Sequence, residues 1–239
     1  MRLIGRLEIK DKFVIKPIQY EGLRKVGKPE DIIYDFYQND FDEILILNIT
    51  GSLYGIDWIK NFVATILKKI FIPVTIGGGI KSLKQAKEFF DVGVDKVAIN
   101  TSIVEDFSLV EKLKQEFGSQ SVVCSIQANK IDNEWYAFTD MARRNSYIKV
   151  TDLIKKYSDN KVGEILLTSV RNDGTLKGVD EELLELCLKL SEVPVIYSGG
   201  LIFEDANKLK KYPIDAVTVS SSYYYKNFSP SDFKKEYNL

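Results

Sequence analysis

Four charged residues stand where a buried strand ordinarily carries apolar ones. Arg2, Glu43, Lys96 and Glu164 open the runs Leu3-Ile4, Ile44-Leu45-Ile46-Leu47, Val97-Ala98-Ile99 and Ile165-Leu166-Leu167. A parallel strand covered on both faces reads as a near-continuous apolar run, so an ionisable group at its start needs an account. If the four strands belong to one closed sheet they begin at the same mouth, where two cations and two anions pointing inward form a ring. The ring is either a salt-bridge plug that finishes the bottom layer of the core or a gate, polar enough to admit a small neutral molecule and closed enough to exclude bulk water.

Two glycine turns mark the opposite ends of such strands. Gly77-Gly78-Gly79 follows Val74-Thr75-Ile76, and Ser198-Gly199-Gly200 follows Val195-Ile196-Tyr197. Each turn precedes a helix-like segment, an arrangement in which backbone N–H groups approach an anion with no side chain in the way. Asn100-Thr101 and Ser220-Ser221 end the neighbouring strands with further donors. Gly78, Gly79, Asn100 and Thr101 are therefore one candidate phosphate site, and Gly199, Gly200, Ser220 and Ser221 a second. Two equivalent sites suit an elongated ligand with a phosphate at each end; the bland alternative is a pair of tight turns with no ligand. Asp173, in Asn172-Asp173-Gly174-Thr175, is a further candidate, a carboxylate on a short turn weighed against an Asx turn that only shapes the loop.

The chain has no histidine. Histidine-based triads, histidine general bases and most zinc sites are thereby excluded, leaving carboxylates, Lys, Tyr and Cys for proton transfer. Cys124 and Cys187 fit no metal-ligand spacing and lie in apolar patterns, as buried thiols do. No cofactor and no metal are expected. A formal net charge of −1, from 33 basic and 34 acidic residues, gives no electrostatic case for nucleic acid or a membrane surface. No run approaches the roughly 18 apolar residues of a membrane helix, and Met1-Arg2 leads directly into a strand, so a soluble cytoplasmic protein is expected.

The elements that must position these residues come in duplicate. PVTIGGGIKSLKQAKEFFDVGVDKVAINTS, from Pro73 to Ser102, reappears from Pro194 to Ser222 as PVIYSGGLIFEDANKLKKYPIDAVTVSSS. Glu43-Ile44-Leu45 precedes Pro73 by the same interval that separates Glu164-Ile165-Leu166 from Pro194, so a whole strand-helix-strand-helix-strand block is repeated. Strands are expected near residues 3, 43, 73, 96, 121, 164, 194 and 216, with helices between them. Eight alternating strands in two similar halves predict a closed (β/α)8 TIM barrel, an α/β fold, and 239 residues suit one domain spanning 1–239. In the opening strand the even positions Arg2, Ile4, Arg6 and Glu8 share a face. Glu21 to Lys28 reads as a surface loop, Asn129 to Asp140 as a hairpin turning at Asp132-Asn133, and Ile56 to Ile70 as a helix. The tail from Tyr223 to Leu239 reads as a helix packed on the barrel.

The stretches RLEIKDKFVIK, DEILILNITGS, IPVTIGGGI, DKVAINTSIVE, FGSQSVV, GEILLTSVRNDGT and SGG, in that order over nearly the whole chain, resemble the cyclase subunit of imidazole glycerol phosphate synthase, the HisF family. The resemblance implies a barrel paired with a HisH-like glutaminase. Ammonia would enter at the N-terminal mouth through a charged gate matching Arg2, Glu43, Lys96 and Glu164, and travel to a phosphorylated ligand. Asp95 and Gln120 fall where the family meets its glutaminase. The family's two essential aspartates correspond to Glu8 and Gln127, so the catalytic candidates are Glu8, Gln127 and Asp173. A neutral amide is neither general acid nor general base, and losing one of two paired groups typically removes about 10²–10⁴-fold of rate.

The chain thus keeps the family's entrance and alters its reactor. In this it resembles a divergent HisF-like branch that acts with a glutaminase and an ATP-using sugar amidotransferase in the amidination of bacterial surface sugars. Under the resemblance the expectation is an ammonia-receiving synthase subunit of a glutamine-dependent amidotransferase system. The alternatives are the cyclase of histidine biosynthesis and an inert barrel that activates a glutaminase.

Overall fold

The computed structural model describes residues 1–51, 57–225 and 228–238. Its strands are β1 (Arg2–Lys10), β2 (Phe13–Ile18), β3 (Glu21–Gly27), β4 (Glu43–Asn48), β5 (Val74–Gly77), β6 (Lys96–Ile99), β7 (Val122–Ile131), β8 (Glu134–Thr139), β9 (Arg144–Lys149), β10 (Glu164–Ser169), β11 (Val195–Ser198) and β12 (Ala216–Val219). Parallel pairing runs β1-β4-β5-β6-β7-β10-β11-β12 and returns to β1, which closes an eight-stranded (β/α)8 barrel. The helices are α1 (Pro29–Gln38), α2 (Asp57–Ile66), α3 (Leu83–Phe90), α4 (Thr101–Glu105), α5 (Ser108–Phe117), α6 (Val150–Asp159), α7 (Glu181–Leu190), α8 (Asp205–Leu209), α9 (Ser221–Tyr225) and α10 (Pro230–Asn238). Among the described residues no helix is long and apolar enough to cross a membrane.

Two separate apolar clusters follow from the two-residue period of the strands. Odd positions of β1, Leu3, Leu7 and Ile9, face outward and join Ile33 and Phe36 of α1, Val63 of α2 and Phe89 of α3 in the layer between strands and helices. Inside the barrel Ile4, Leu45, Ala98, Val123, Leu166, Ile196 and Ala216 form a second, smaller cluster. The helices are set by the stripes and caps their sequences carry. Ser82 accepts from the Gln85 N–H at the start of α3, and Asp180 from the Leu183 N–H at the start of α7.

Outside the barrel the sequence reading needs correction. Glu21 to Lys28, expected as a loop, is mostly strand: β3 pairs antiparallel with β2, which pairs with β1. The strand is exposed along most of its length, so no apolar alternation announces it. The turn joining β2 to β3 is made by Gln19 and Tyr20 at φ 51° and 64°, residues that lack the Asn-Gly signature of such turns. The hairpin at Asp132-Asn133 is present, and β9 adds a third strand to it. Helix α2 is shorter than expected at its C-terminal end, and its expected start at Ile56 lies outside the described residues. In the tail, Phe233 is fully buried and packs on Phe228 with ring centroids 5.0 Å apart; Lys226, Asn227 and Leu239 lie outside the described residues.

Candidate functional site

At the N-terminal mouth the four strand-opening charges do meet. Arg2 Nη1 donates to Glu43 Oε1 at 2.5 Å, and its Nη2 donates to Glu164. Lys96 Nζ lies 2.9 Å from Glu164 Oε2 and 3.3 Å from Glu43 Oε2, so each cation bridges both anions and the ring is closed. The residue paired with Arg2 on the neighbouring strand is Ala216, whose small side chain leaves the bore to the four charges. Side chains of the glutamates are 8 and 9 % exposed, those of Lys96 and Arg2 17 and 30 %. Burial alone would lower the Arg2 pKa, but the two glutamates override it and raise the value, keeping the guanidinium charged.

Asp95 and Gln120 lie at the same end. Asp95 Oδ2 accepts from the Val74 N–H at 2.8 Å, and Asp42 and Asp215 serve Leu3 and Val195 in the same way. A capping role for Asp95 therefore exists within the barrel itself. Gln120 follows α5, with its amide 3.5 Å from the Phe117 carbonyl.

At the C-terminal mouth the glycine turns are tight because neighbouring backbone presses on them. Gly78 and Gly79 have φ of +92° and +82°, and a Cβ on Gly78 would lie 2.0 Å from the Asn48 carbonyl oxygen. A cavity of about 370 Å³ opens over this turn, lined by Gly78, Gly79, Asn100, Thr101, Gln127 and Tyr20 among others. That volume is in the range of small-molecule sites. Ala98, Leu47 and Leu166 line it as well, and they belong to or pack on the inner apolar cluster. Lys96 and Glu164 lie two residues earlier on the strands of Ala98 and Leu166, about 6.6 Å along the strand. One apolar layer thus separates the cavity from the charged ring.

The three catalytic candidates are not brought to one cavity. Gln127 faces the cavity over the Gly78 turn, and its Oε1 accepts the Ala142 N–H at 2.8 Å, which fastens the turn between β8 and β9 above the mouth. Glu8 is fully buried and is absent from that lining. Its Oε1 is 2.6 Å from Arg6 Nη2 and 2.9 Å from Lys16 Nζ. Asp173 is also buried, 3.3 Å from Arg6 Nη1 and 3.2 Å from Lys16 Nζ. Burial would raise the Asp173 pKa, but Arg6 and Lys16 outweigh it and hold the carboxyl below its ordinary value. Arg6 is shifted upward, Asp173 and Glu8 overcoming the effect of burial. Glu8 Oε2 and Arg6 Nε have no hydrogen-bond partner among the described residues.

Arg6, Lys16 and Tyr20 were not singled out as site residues from sequence. Arg6 was readable as the inward neighbour of Glu8. Lys16 and Tyr20 reach the site only through the β2–β3 hairpin. Cys124 and Cys187 are buried, as expected, and burial pushes the Cys187 thiol up to about 12 and that of Cys124 further.

Fold and site together define a (β/α)8 barrel of duplicated halves with a cavity at the C-terminal strand ends, where active sites of this fold lie. The chain belongs to the histidine biosynthesis protein family, whose model matches residues 2–229. It is 39 % identical over 202 residues to the imidazole glycerol phosphate synthase subunit HisF of Legionella pneumophila, covering 84 % of this chain and 95 % of that protein. The HisF subunit of Sulfolobus acidocaldarius is 38 % identical, with 83 % of this chain and 80 % of the relative covered. That of Thermotoga sp. (strain RQ2) is 33 % identical over 240 residues, covering 98 % and 93 %.

Proposed function

We propose that this barrel is a HisF-type subunit of a glutamine-dependent amidotransferase, receiving ammonia from a glutaminase docked at its N-terminal mouth. The carrying observation is the closed ring of Arg2, Glu43, Lys96 and Glu164 one apolar layer beneath the 370 Å³ cavity. Neutral ammonia crosses an apolar layer at far lower cost than a hydrated ion, and the partly exposed ring is polar enough to pass it inward. Asp95 and Gln120 belong to the docking rim in this reading.

The acceptor chemistry is the finer part of the proposal. With a neutral Gln127 on the cavity and Glu8 held by Arg6 and Lys16, these two positions supply no pair of free carboxylates for the proton transfers of a cyclisation. This supports delivery of ammonia for sugar amidination, with an ATP-using partner carrying the activation step. The names of the relatives favour a second reading, the imidazole-forming synthase itself, in which Glu8 and Asp173 have taken over the proton transfers.

Reconstitution decides between them. The barrel is purified with its glutaminase, glutamine and the imidazole-forming substrate are supplied, and glutamate and imidazole product are followed by chromatography. Glutamate release without imidazole product is expected; rapid cyclisation would establish the second reading instead. A scaffold that merely activates the glutaminase is distinguished by Lys96→Ala, which releases ammonia to solvent only if the barrel conducts it.

A further inference from the structure

The glycine turns repeat in sequence but not in space. Over Gly78–Lys81 lies the cavity of about 370 Å³; over Gly199, Gly200, Ser220 and Ser221 there is one of about 10 Å³, room for about one water. A phosphate has four oxygens and does not fit there. Ser221 Oγ, on the lining of that small cavity, is buried and has no hydrogen-bond partner among the described residues.

Arg6 explains the asymmetry. Its guanidinium is buried at 1 % exposure and is tied to Asp173, on the lining of the small cavity, and to Ser198, just before the second turn. Nη1 donates to Ser198 Oγ at 2.6 Å and to Asp173 Oδ1, and Nη2 donates to the Tyr20 hydroxyl at 3.2 Å. Ser198 Oγ is in turn 2.6 Å from Thr218 Oγ1, so both strands beneath the second turn are tied to it. The loop after β10 is drawn over the strand ends by Asp173 and stapled to the β2–β3 turn. The Gln19 N–H donates to the Asp173 carbonyl at 2.8 Å, and a Cβ on Gly174 would lie 2.4 Å from the Pro17 carbonyl oxygen. The loop cannot lift without breaking buried ion pairs.

The first turn has no such closure. Gly78, Gly79, Ile80 and Lys81 line its cavity with Asn100 and Thr101. Of the three carboxylates on that lining, Asp106 accepts from Ser108, Glu105 pairs with Arg144 at 3.6 Å, and Asp140 is exposed to solvent.

We propose that Arg6 sets the ligand class of this barrel: it closes the Gly199–Gly200 half, and the Gly78–Lys81 cavity takes a small molecule with a single phosphate-like end. This rests on the C-terminal mouth being the ligand site, and it is tested without glutaminase or ammonia, so failure of ammonia delivery and failure of this assignment are seen separately. Calorimetry compares ribose 5-phosphate with ribulose 1,5-bisphosphate. The wild type should bind both within about threefold, the second phosphate finding no seat. Arg6→Ala/Asp173→Ala removes one charge of each sign and leaves the Lys16–Glu8 pair. It should bind the bisphosphate at least tenfold tighter than the wild type does, with the monophosphate changed by less than threefold. Lys81→Glu should weaken the monophosphate about tenfold.

A wild-type preference of tenfold or more for the bisphosphate overturns the proposal. So does millimolar-range silence toward both probes, or binding indifferent to Lys81→Glu. A folded double variant with no gain for the bisphosphate removes Arg6 from the explanation. If that variant does not fold, Arg6→Met/Asp173→Asn, which keeps more of the volume, takes its place under the same criteria.

Discussion

The barrel holds two four-charge clusters of the same connectivity. At one mouth Arg2 and Lys96 each bridge Glu43 and Glu164; at the other Arg6 and Lys16 each bridge Glu8 and Asp173. What differs is where the charges come from. The outer ring draws one residue from each of β1, β4, β6 and β10, spaced around the bore, so it crosses the axis. The inner cluster draws two from β1, one from β2 and one from the loop after β10, so it sits to one side. Exposure follows: Arg2 is 30 % exposed, whereas no side chain of the inner cluster exceeds 2 %. A ring with solvent on one face can rearrange at low cost, and a dry cluster cannot. The same charge arithmetic therefore gives a solvent-facing ring at one mouth and a dry cluster at the other.

The largest test of this contrast is Arg6→Ala. Removing one partner of a buried pair strands its opposite charges, and about 3–5 kcal/mol of stability should be lost, read as a shift in the urea midpoint. Lys96→Ala, in the ring that solvent reaches, should cost about 1–2 kcal/mol, while glutamine-derived ammonia escapes to the medium. Equal losses at the two mouths would erase the distinction between solvent-facing ring and dry cluster.

Acid separates them further. Because Asp173 has a depressed folded pKa, its contribution is present above the unfolded value of about 3.9 and is lost as pH falls through the folded value. Urea midpoints of the wild type should drop as pH falls below about 4, and the drop should be shallower in Asp173→Asn. An identical acid slope in the two proteins would mean that Asp173 is not held by Arg6 and Lys16.

The outer ring was legible in the sequence because a strand's first residue is fixed by the apolar run behind it, and duplication placed Glu43 and Glu164 in register. The inner cluster was legible only by half. Arg6 and Glu8 share a face by parity, but Lys16 arrives through the register Glu8↔Ile15 of a hairpin whose turn residues give no signal. The glycine turns illustrate a different limit. Glycine spacing reports backbone shape, and both turns do have positive φ; the room above them depends on a side chain from β1, at the other end of the chain from the second turn, which no local pattern encodes. Asp95 was read from family position as a docking residue, yet Asp42-Glu43, Asp95-Lys96 and Asp215-Ala216 show one repeated acid before a strand. Its capping bond was there to be inferred from that repeat.

The smallest expected effect is the sharpest probe of solvent access. Charges that water reaches are screened over about 8 Å at physiological ionic strength and about 3 Å at 1 M, whereas dry pairs are screened far less. A double-mutant cycle on Arg2 and Glu43 should give a coupling of about 0.5–1 kcal/mol at low salt, falling by about half or more in 1 M sodium chloride. The corresponding cycle on Lys16 and Asp173 should hold its value across the same range, because neither side chain is more than 2 % exposed. The cycle cancels the effect of salt on folding as a whole, since every variant experiences it alike. Salt-insensitive coupling at Arg2–Glu43 would show that the outer ring is as dry as the inner cluster. The passage of a polar molecule between its charges would then lose its physical basis, and the plug reading would extend to both mouths.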